Sequence, residues 1–180
     1  RYPAAGQQWQ ATPRRLVMGL WVLLPCWVGF NVLRESGMTW LLFVLLLVWC
    51  ADIGAYFVGR NWGKRKLAPN VSPGKSWEGV YGGLAATAML AIVFAVWLSL
   101  GMASSLMLIL VTAVVTLTSV LGDLLESMLK RHRNIKDSSQ LLPGHGGVMD
   151  RIDSLTAAIP LFALFYLEVL MPMLVQGQSL

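Results

Sequence analysis

The sequence has 180 residues, of which 56% are hydrophobic and only 13% are charged, with a net charge of +5. Soluble domains carry about 25% charged residues, so this composition excludes an ordinary soluble protein and predicts an integral membrane protein. The two cysteines, Cys26 and Cys50, lie in apolar segments, which makes small buried thiols the expected reading and argues against a disulfide or a metal site. We expect residues 1–180 to form a single membrane-embedded domain.

Five segments are long and apolar enough to cross a bilayer as helices, because about 20 residues at 1.5 Å each span its hydrocarbon core. The predicted spans are 16–33, 39–58, 80–100, 103–125 and 154–175. The fourth can continue as a helix as far as Lys130. The sequence therefore predicts an all-α, polytopic membrane protein with about five transmembrane helices.

The basic residues are distributed unevenly between the connections. Thirteen of the fourteen Lys and Arg residues lie before the first span or in the loops 59–79 and 126–153, and the exception is Arg34. The positive-inside rule assigns this basic side to the cytoplasm. The two basic loops would then share the cytoplasmic face, where they can form one active site.

Several carboxylates lie within the apolar spans or near their ends, namely Asp52, Asp123 and Glu126. A carboxylate in hydrocarbon costs at least a few kcal/mol, so it usually faces a polar cavity and has a function. Asp123, Ser127 and Lys130 also recur at helical spacing, which places them on one face of the fourth helix. The alternative is an interfacial stripe of polar side chains without a function.

A glycine-rich segment precedes the fifth span. Residues 143–147 read PGHGG, and glycines permit a tight loop whose backbone N–H groups can approach a phosphate. Asp150 and Asp153 follow one turn apart at the start of a helix, where acidic residues also suit the helix dipole. Carboxylates from two segments, Asp123 and Asp150, could instead hold Mg²⁺, which would hold substrate phosphates. The nearby basic residues could bind phosphate or simply attract anionic lipid headgroups.

The segment 72–79 reads SPGKSWEG. It is not a P-loop, because Pro69 stands where the P-loop pattern requires glycine and no strand is expected before it. We predict a Pro-Gly turn that leads into the third helix. Lys75 and Ser76 would lie at the positive N-terminus of that helix and form an anion site.

The longest motif runs from Ser127 to Asp153 and reads S-x2-K-R-x4-K-D-x5-P-G-H-G-G-x2-D-R-x-D. It resembles the signature of the phosphatidate cytidylyltransferases, the CDP-diacylglycerol synthases. Three shorter pieces resemble the same family, DIGAYFVGR from Asp52, SPGKSWEG from Ser72 and GDLLES from Gly122. Bacterial members are longer at the N-terminus, so we expect this sequence to be the C-terminal catalytic portion of a bacterial-type enzyme.

The resemblance implies a nucleotidyltransferase that transfers CMP from CTP to phosphatidic acid, giving CDP-diacylglycerol and pyrophosphate in phospholipid biosynthesis. It implies Mg²⁺, with room for a second cation, and an active site on the cytoplasmic face of the bacterial inner membrane. The partners it implies are the two substrates and membrane lipids, with no nucleic acid. A homodimer is the assembly that the family suggests.

The family pattern also assigns roles to individual residues. The catalytic residues it implies are Asp123, Asp150, Lys136 and His145. The metal ligands are Asp123, Asp150 and Asp153. The residues that bind substrate phosphates are Lys75, Ser76, Lys130, Arg131, Gly144, Gly146, Gly147 and Arg151. The residues of the polar cavity are Asp52, Ser72, Glu126 and Ser127.

Three other functional classes are alternatives, namely an ion-coupled transporter, another lipid-phosphate transferase and a lipid-anchoring module. An ion-coupled transporter could use Asp52 and Asp123 as ion ligands, but it should carry polar residues through to the far side. In their halves nearest the far side, the third and fifth spans are apolar apart from Glu168. Another lipid-phosphate transferase, such as a CDP-alcohol phosphotransferase, needs a different Asp and Gly spacing that this sequence lacks. A lipid-anchoring module would not explain the motif at 143–153.

Overall fold

In a computed structural model the chain forms a bundle of long helices with a small hairpin at one end. The structure describes residues 12–133, 135, 137–139, 141 and 146–177, with the side chains of 16–175 within these ranges. The first elements are α1 (Thr12–Ser36), α2 (Met38–Trp62), β1 (Lys66–Ala68), β2 (Ser72–Ser76), α3 (Trp77–Trp97) and α4 (Met102–His132). The last span consists of α5 (Met149–Phe165), a π-helical turn (Tyr166–Leu170) and α6 (Met171–Gly177).

Five helices in the described part of the chain are long and apolar enough to cross a membrane, which confirms the predicted class and number of spans. α4 continues past the predicted end of its span and includes Lys130, as the sequence allowed. α5 begins at Met149, five residues before the predicted start, so Asp150 and Asp153 lie in its first turns. The polar ends of the spans are therefore helical, although hydropathy alone excludes them.

The hairpin was not predicted. β1 and β2 pair in antiparallel fashion, and the turn between them lies at residues 69–71. The predicted Pro-Gly turn is wrong, because Pro73 and Gly74 lie within β2. Proline is tolerated there because each strand of a two-stranded sheet has a free edge, where no N–H donor is required.

Two side chains fix the hairpin to the start of α3. The hydroxyl of Ser76 caps the helix by accepting a hydrogen bond from the Gly79 N–H at 3.2 Å. The carboxylate of Glu78 accepts hydrogen bonds from the backbone N–H groups of residues 64 and 65, both at 3.1 Å. Because of the cap, α3 begins at Trp77 and not at residue 80, the predicted start.

Glycines allow α2 and α3 to pack closely. A methyl group on Gly54 would lie 2.7 Å from the carbonyl oxygen of Gly82, and one on Gly82 would lie 2.5 Å from the side chain of Val58. Small residues permit this approach of two backbones, which favours helix association in membranes. The contact holds the hairpin, which connects α2 to α3, against the charged end of the bundle.

Aromatic side chains fill the opposite end of the bundle. The ring centroids of Phe43 and Phe94 are 4.5 Å apart, and those of Trp40 and Tyr166 are 5.0 Å apart. Phe162 also packs against Phe43, at 5.5 Å. These contacts join α2, α3 and the last span at one end. The site is therefore built at the other end, where the charged residues lie.

Candidate active site

One ion pair joins the hairpin to α4. The Lys75 ammonium, near the end of β2, contacts Oδ2 of Asp123, and both side chains are about three-quarters buried. The hydroxyl of Ser127 donates to Oδ1 of the same carboxylate at 3.2 Å. The loops 59–79 and 126–153 therefore meet at one end of the bundle, as the sequence predicted.

A second ion pair joins α4 to α5. Lys130 Nζ lies 2.7 Å from Oδ1 of Asp150, whose side chain is only 8% exposed. Oδ2 of Asp150 accepts hydrogen bonds from the Ser138 N–H at 2.8 Å, the Ser138 hydroxyl at 2.9 Å and the Gly147 N–H at 2.7 Å. Four donors thus hold this carboxylate, and it connects the end of α4 to the loop that precedes α5.

Glu126 lies on α4 beside the second pair. Both of its carboxylate oxygens are buried and accept no hydrogen bond from the described part of the chain. The nearest cation is Lys130, whose Nζ lies 3.7 Å from Oε2. The carboxyl group of Asp153 is its close neighbour. These two carboxyl groups therefore lie beside the same ammonium group, which already pairs with Asp150.

The carboxylates of the site form one electrostatic group, since each interacts with at least one other carboxylate. Its members are Asp52, Asp123, Glu126, Asp150 and Asp153. Lys75 and Lys130 form ion pairs with members of this group. An all-oxygen donor set of this kind fits Mg²⁺.

Within the described ranges, no three of these groups converge closely enough to enclose an ion by themselves. This is compatible with Mg²⁺, which usually takes one or two carboxylates together with substrate phosphates and water.

A cavity of about 390 Å³ lies between α2 and α3 and reaches α4. Asp52 and Lys75 line it, together with Tyr56 and Arg60. An Arg60 guanidinium N–H donates to the Tyr56 hydroxyl at 2.7 Å. Tyr56 and Arg60 were not predicted as site residues, although their spacing of four and eight residues from Asp52 places all three on one helix face. The cavity combines an acidic, a basic and an aromatic group beside the first ion pair.

Some predicted site residues have structural tasks here. The Ser76 side chain is the cap of α3 and is buried. Ser72 pairs with Ala68 in the hairpin and does not line the cavity. Glu126 was also assigned to the polar cavity, but it lines a separate groove between α1, α4 and α5. The Arg131 guanidinium donates to the carbonyl oxygen of Val71 at 3.4 Å, which fastens α4 to the hairpin turn.

The glycine segment is described only from Gly146 onwards. Gly146 adopts a φ of +81°, which favours glycine, and a methyl group there would lie 2.7 Å from Oδ2 of Asp150. The Gly147 N–H points to that same carboxylate. Arg151 is exposed in the first turn of α5. The predicted residues Lys136, Gly144 and His145 lie outside the described residues.

Two further contributors were not predicted. Glu78 fixes the backbone before β1, and Ser138 supplies two of the four donors to Asp150. Glu78 gives a sequence signal, because an acidic residue two positions after a capping serine suits the first turn of a helix. Ser138 gives none, since its role depends on a loop that folds back onto α5.

Comparisons with known proteins place this architecture in a family. Residues 5–169 match the model of the cytidylyltransferase family. The chain belongs to the cytidylyltransferase family, which confirms the resemblance found in the motifs.

The chain is similar to several bacterial phosphatidate cytidylyltransferases. It is 54% identical to that of Pseudomonas aeruginosa, over 90% of this chain and 60% of the relative. It is 49% identical to that of Haemophilus influenzae, over 94% of this chain and 63% of the relative. The Bacillus subtilis relative is 43% identical over 74% of this chain and 51% of the relative. The chain thus spans 51–63% of the length of these curated relatives.

A solved structure supports the fold. The chain matches an intramembrane enzyme for archaeal membrane lipids biosynthesis with a TM-score of 0.52 and 17% identity, over 76% of this chain and 89% of the other. At this identity the likeness concerns the fold alone. Together with the five apolar helices, it identifies the chain as an integral membrane protein.

Proposed function

We propose that the protein transfers CMP from CTP to phosphatidic acid and releases CDP-diacylglycerol and pyrophosphate. The observation that carries this proposal is the convergence of one lysine from each basic loop on carboxylates of two helices, Lys75 on Asp123 and Lys130 on Asp150. Cations and carboxylates in one site can serve phosphates and a divalent ion together. The names of the bacterial relatives support the same reaction.

The reaction needs positioning more than acid-base chemistry. A phosphate oxygen of phosphatidic acid attacks the α-phosphorus of CTP in line, and the bond from that phosphorus to the oxygen bridging to the β-phosphate breaks. Pyrophosphate leaves with the bond electrons. A phosphate monoester is already a competent nucleophile, so the protein contributes orientation and neutralisation of charge.

The residues divide into two groups. Asp123 and Asp150, with Asp153 in reserve, would hold Mg²⁺, which neutralises phosphate charge when bound. Lys75 and Lys130 would exchange their carboxylate partners for phosphate oxygens as substrates enter. The basic side chains of Arg131, Lys136 and Arg151, and the loop with Gly144, His145, Gly146 and Gly147, remain predicted phosphate contacts.

The nucleotide is assigned to the cavity between α2 and α3. Its volume of about 390 Å³ lies in the range of small-molecule sites. Lys75 lies at its junction with Asp123, which suits the triphosphate. Tyr56 offers an aromatic face to the base or ribose.

The orientation is proposed from charge. The positive-inside rule assigns the end that carries the basic hairpin to the cytoplasm, and hence to the inner face of a bacterial inner membrane. A full-length Lys64→Cys variant in a background without other cysteines should react with an impermeant thiol reagent only in inverted vesicles. Reaction in right-side-out cells would contradict this orientation.

A homodimer stays a family-based proposal, which cross-linking in native membranes can test.

The test of the reaction is an assay of the purified full-length protein with CTP labelled at the α-phosphate. With phosphatidic acid and Mg²⁺, we expect the label to appear in CDP-diacylglycerol. We expect no labelled lipid after chelation of the metal, or when equally labelled GTP or dATP replaces CTP. Absence of lipid-soluble label under every metal condition would overturn the proposed reaction. Full activity in the presence of a chelator would overturn the assignment of Mg²⁺ alone.

A further inference from the structure

A second, apolar cavity lies on the other side of α4. It is a groove of about 400 Å³ between α1, α4 and α5, and its walls include Gly19, Leu125, Leu129 and Pro160. The α4 residues that line it are about half a helical turn away from those that line the first cavity. The polar stripe of α4 therefore lies between a mixed cavity on one side and an apolar groove on the other.

The groove has the length and polarity of one phospholipid leaflet. Along α4 it runs from Gly122 to Arg133, which corresponds to about 16 Å, or roughly half of a 30 Å hydrocarbon core. Arg133 is exposed at the charged end, whereas the deeper walls are mostly apolar, with Glu126 and Thr156 as the polar exceptions. A cation at the rim and hydrocarbon below complement an anionic headgroup with an acyl chain.

The groove is continuous with the site. Glu126 lines it, and Oε2 of Glu126 lies 3.7 Å from Lys130, which pairs with Asp150. A lipid phosphate at Lys130 would therefore have its chain directly beside this groove. The nucleotide would approach the same phosphate from the cavity across α4.

We propose that this groove receives an acyl chain of phosphatidic acid during the reaction. The inference rests on the proposed function and adds the place of the lipid to it. α1 forms one wall and thereby acts on the choice of lipid, although it carries none of the described charged residues of the site.

Two substitutions fill the groove from opposite walls. A methyl group on Gly19 would meet nothing within 4 Å, so Gly19→Phe adds bulk without a clash in α1. Leu125→Trp adds bulk from α4. The matched controls are Gly101→Phe, which also meets open space, and Leu110→Trp, which lies on an exposed part of α4 outside both cavities.

The readout is the ratio of kcat/KM for dioleoyl and dioctanoyl phosphatidic acid in the full-length protein. We expect both groove variants to lower this ratio about tenfold, equivalent to about two methylenes that are no longer buried. The KM for CTP should not change, and the controls should behave as wild type. An unchanged ratio in both groove variants, or equal losses with both lipids, would overturn the inference.

A photolabel gives a readout independent of turnover and of variant folding. Phosphatidic acid with a diazirine at the chain terminus should label wild-type peptides from α1 and the groove face of α4. Labelling confined to other segments would also overturn the inference. If the wild type makes no CDP-diacylglycerol, the proposed function fails. If it makes CDP-diacylglycerol but the lipid ratio or the label position is not as expected, only the groove assignment fails.

Discussion

Asp150 connects three parts of the site through one carboxylate. It pairs with Lys130 on α4 and accepts three hydrogen bonds from Ser138 and Gly147. Charge-assisted bonds are roughly twice as strong as neutral ones, so this carboxylate organises the loop as well as serving as a predicted metal ligand. Removal of the whole side chain would abolish both the organisation of the loop and the predicted metal ligation, so it could not separate these two roles.

The substitution Asp150→Asn tests the organising role. The amide keeps one acceptor oxygen but places an NH₂ group where the carboxylate accepts hydrogen bonds. We expect faster hydrogen exchange at the backbone N–H groups of Ser138 and Gly147, together with loss of CDP-diacylglycerol formation. Exchange as slow as in the wild type would show that other contacts hold this loop. Glu168→Gln, which lies exposed near the other end of the bundle, is the control.

A ranking of two lysines tests the placement of the phosphates. Lys75 contacts Asp123, whereas only the backbone of Lys64 has a described contact, with Glu78. Lys75→Ala should therefore reduce kcat/KM for CTP by about 100-fold, as expected for loss of a group that stabilises transition-state charge. Lys64→Ala should change it less than threefold. The reverse order would mean that the triphosphate lies on the outer face of the hairpin.

Much of the site was predictable at the scale of residues. Asp123 was singled out because a carboxylate in an apolar span is costly without a function, and Asp150 because it follows a glycine-rich segment at the start of a helix. The pairing of each with a particular lysine was not predictable, since Lys75 lies 48 positions before Asp123 and reaches it only through the fold. Tyr56 and Arg60 were overlooked because aromatic and basic residues at a helix end usually anchor the membrane interface.

At the scale of elements, hydropathy located all five spans but misplaced their polar ends. α3 and α5 each begin earlier than predicted, because the cap at Ser76 and the acidic first turn of α5 extend the helices into polar sequence. The hairpin escaped prediction because its strands have three and five residues and contain Pro73. Its anchors, such as Glu78, act from outside the strands.

The glycine contact between α2 and α3 gives a prediction at this scale. Gly82→Leu would force a side chain into Val58 and into the backbone of Gly54. Overpacking of this kind typically costs about 1–3 kcal/mol, so the thermal midpoint of the detergent-solubilised protein should fall by several degrees. Ala85→Leu, at an exposed position of the same helix, should leave it within about one degree. Equal midpoints for the two variants would contradict close packing.

At the scale of the whole molecule, the helices separate two kinds of cavity. The aromatic end holds the bundle together, and the charged end brings both basic loops to α4. A mixed cavity and an apolar groove then flank the polar stripe of α4. In the proposed reaction, this arrangement would place the nucleotide and the membrane lipid on opposite sides of the same carboxylates and lysines.

We propose that Asp123 lies at the reaction centre between the nucleotide and the lipid. The most direct measurement is the rate of CDP-diacylglycerol formation from CTP and phosphatidic acid by the full-length Asp123→Asn variant, with Glu168→Gln as control. We expect a loss of at least about 100-fold with an unchanged thermal midpoint, and a control within twofold of wild type. A correctly folded Asp123→Asn variant with nearly wild-type activity would contradict the account.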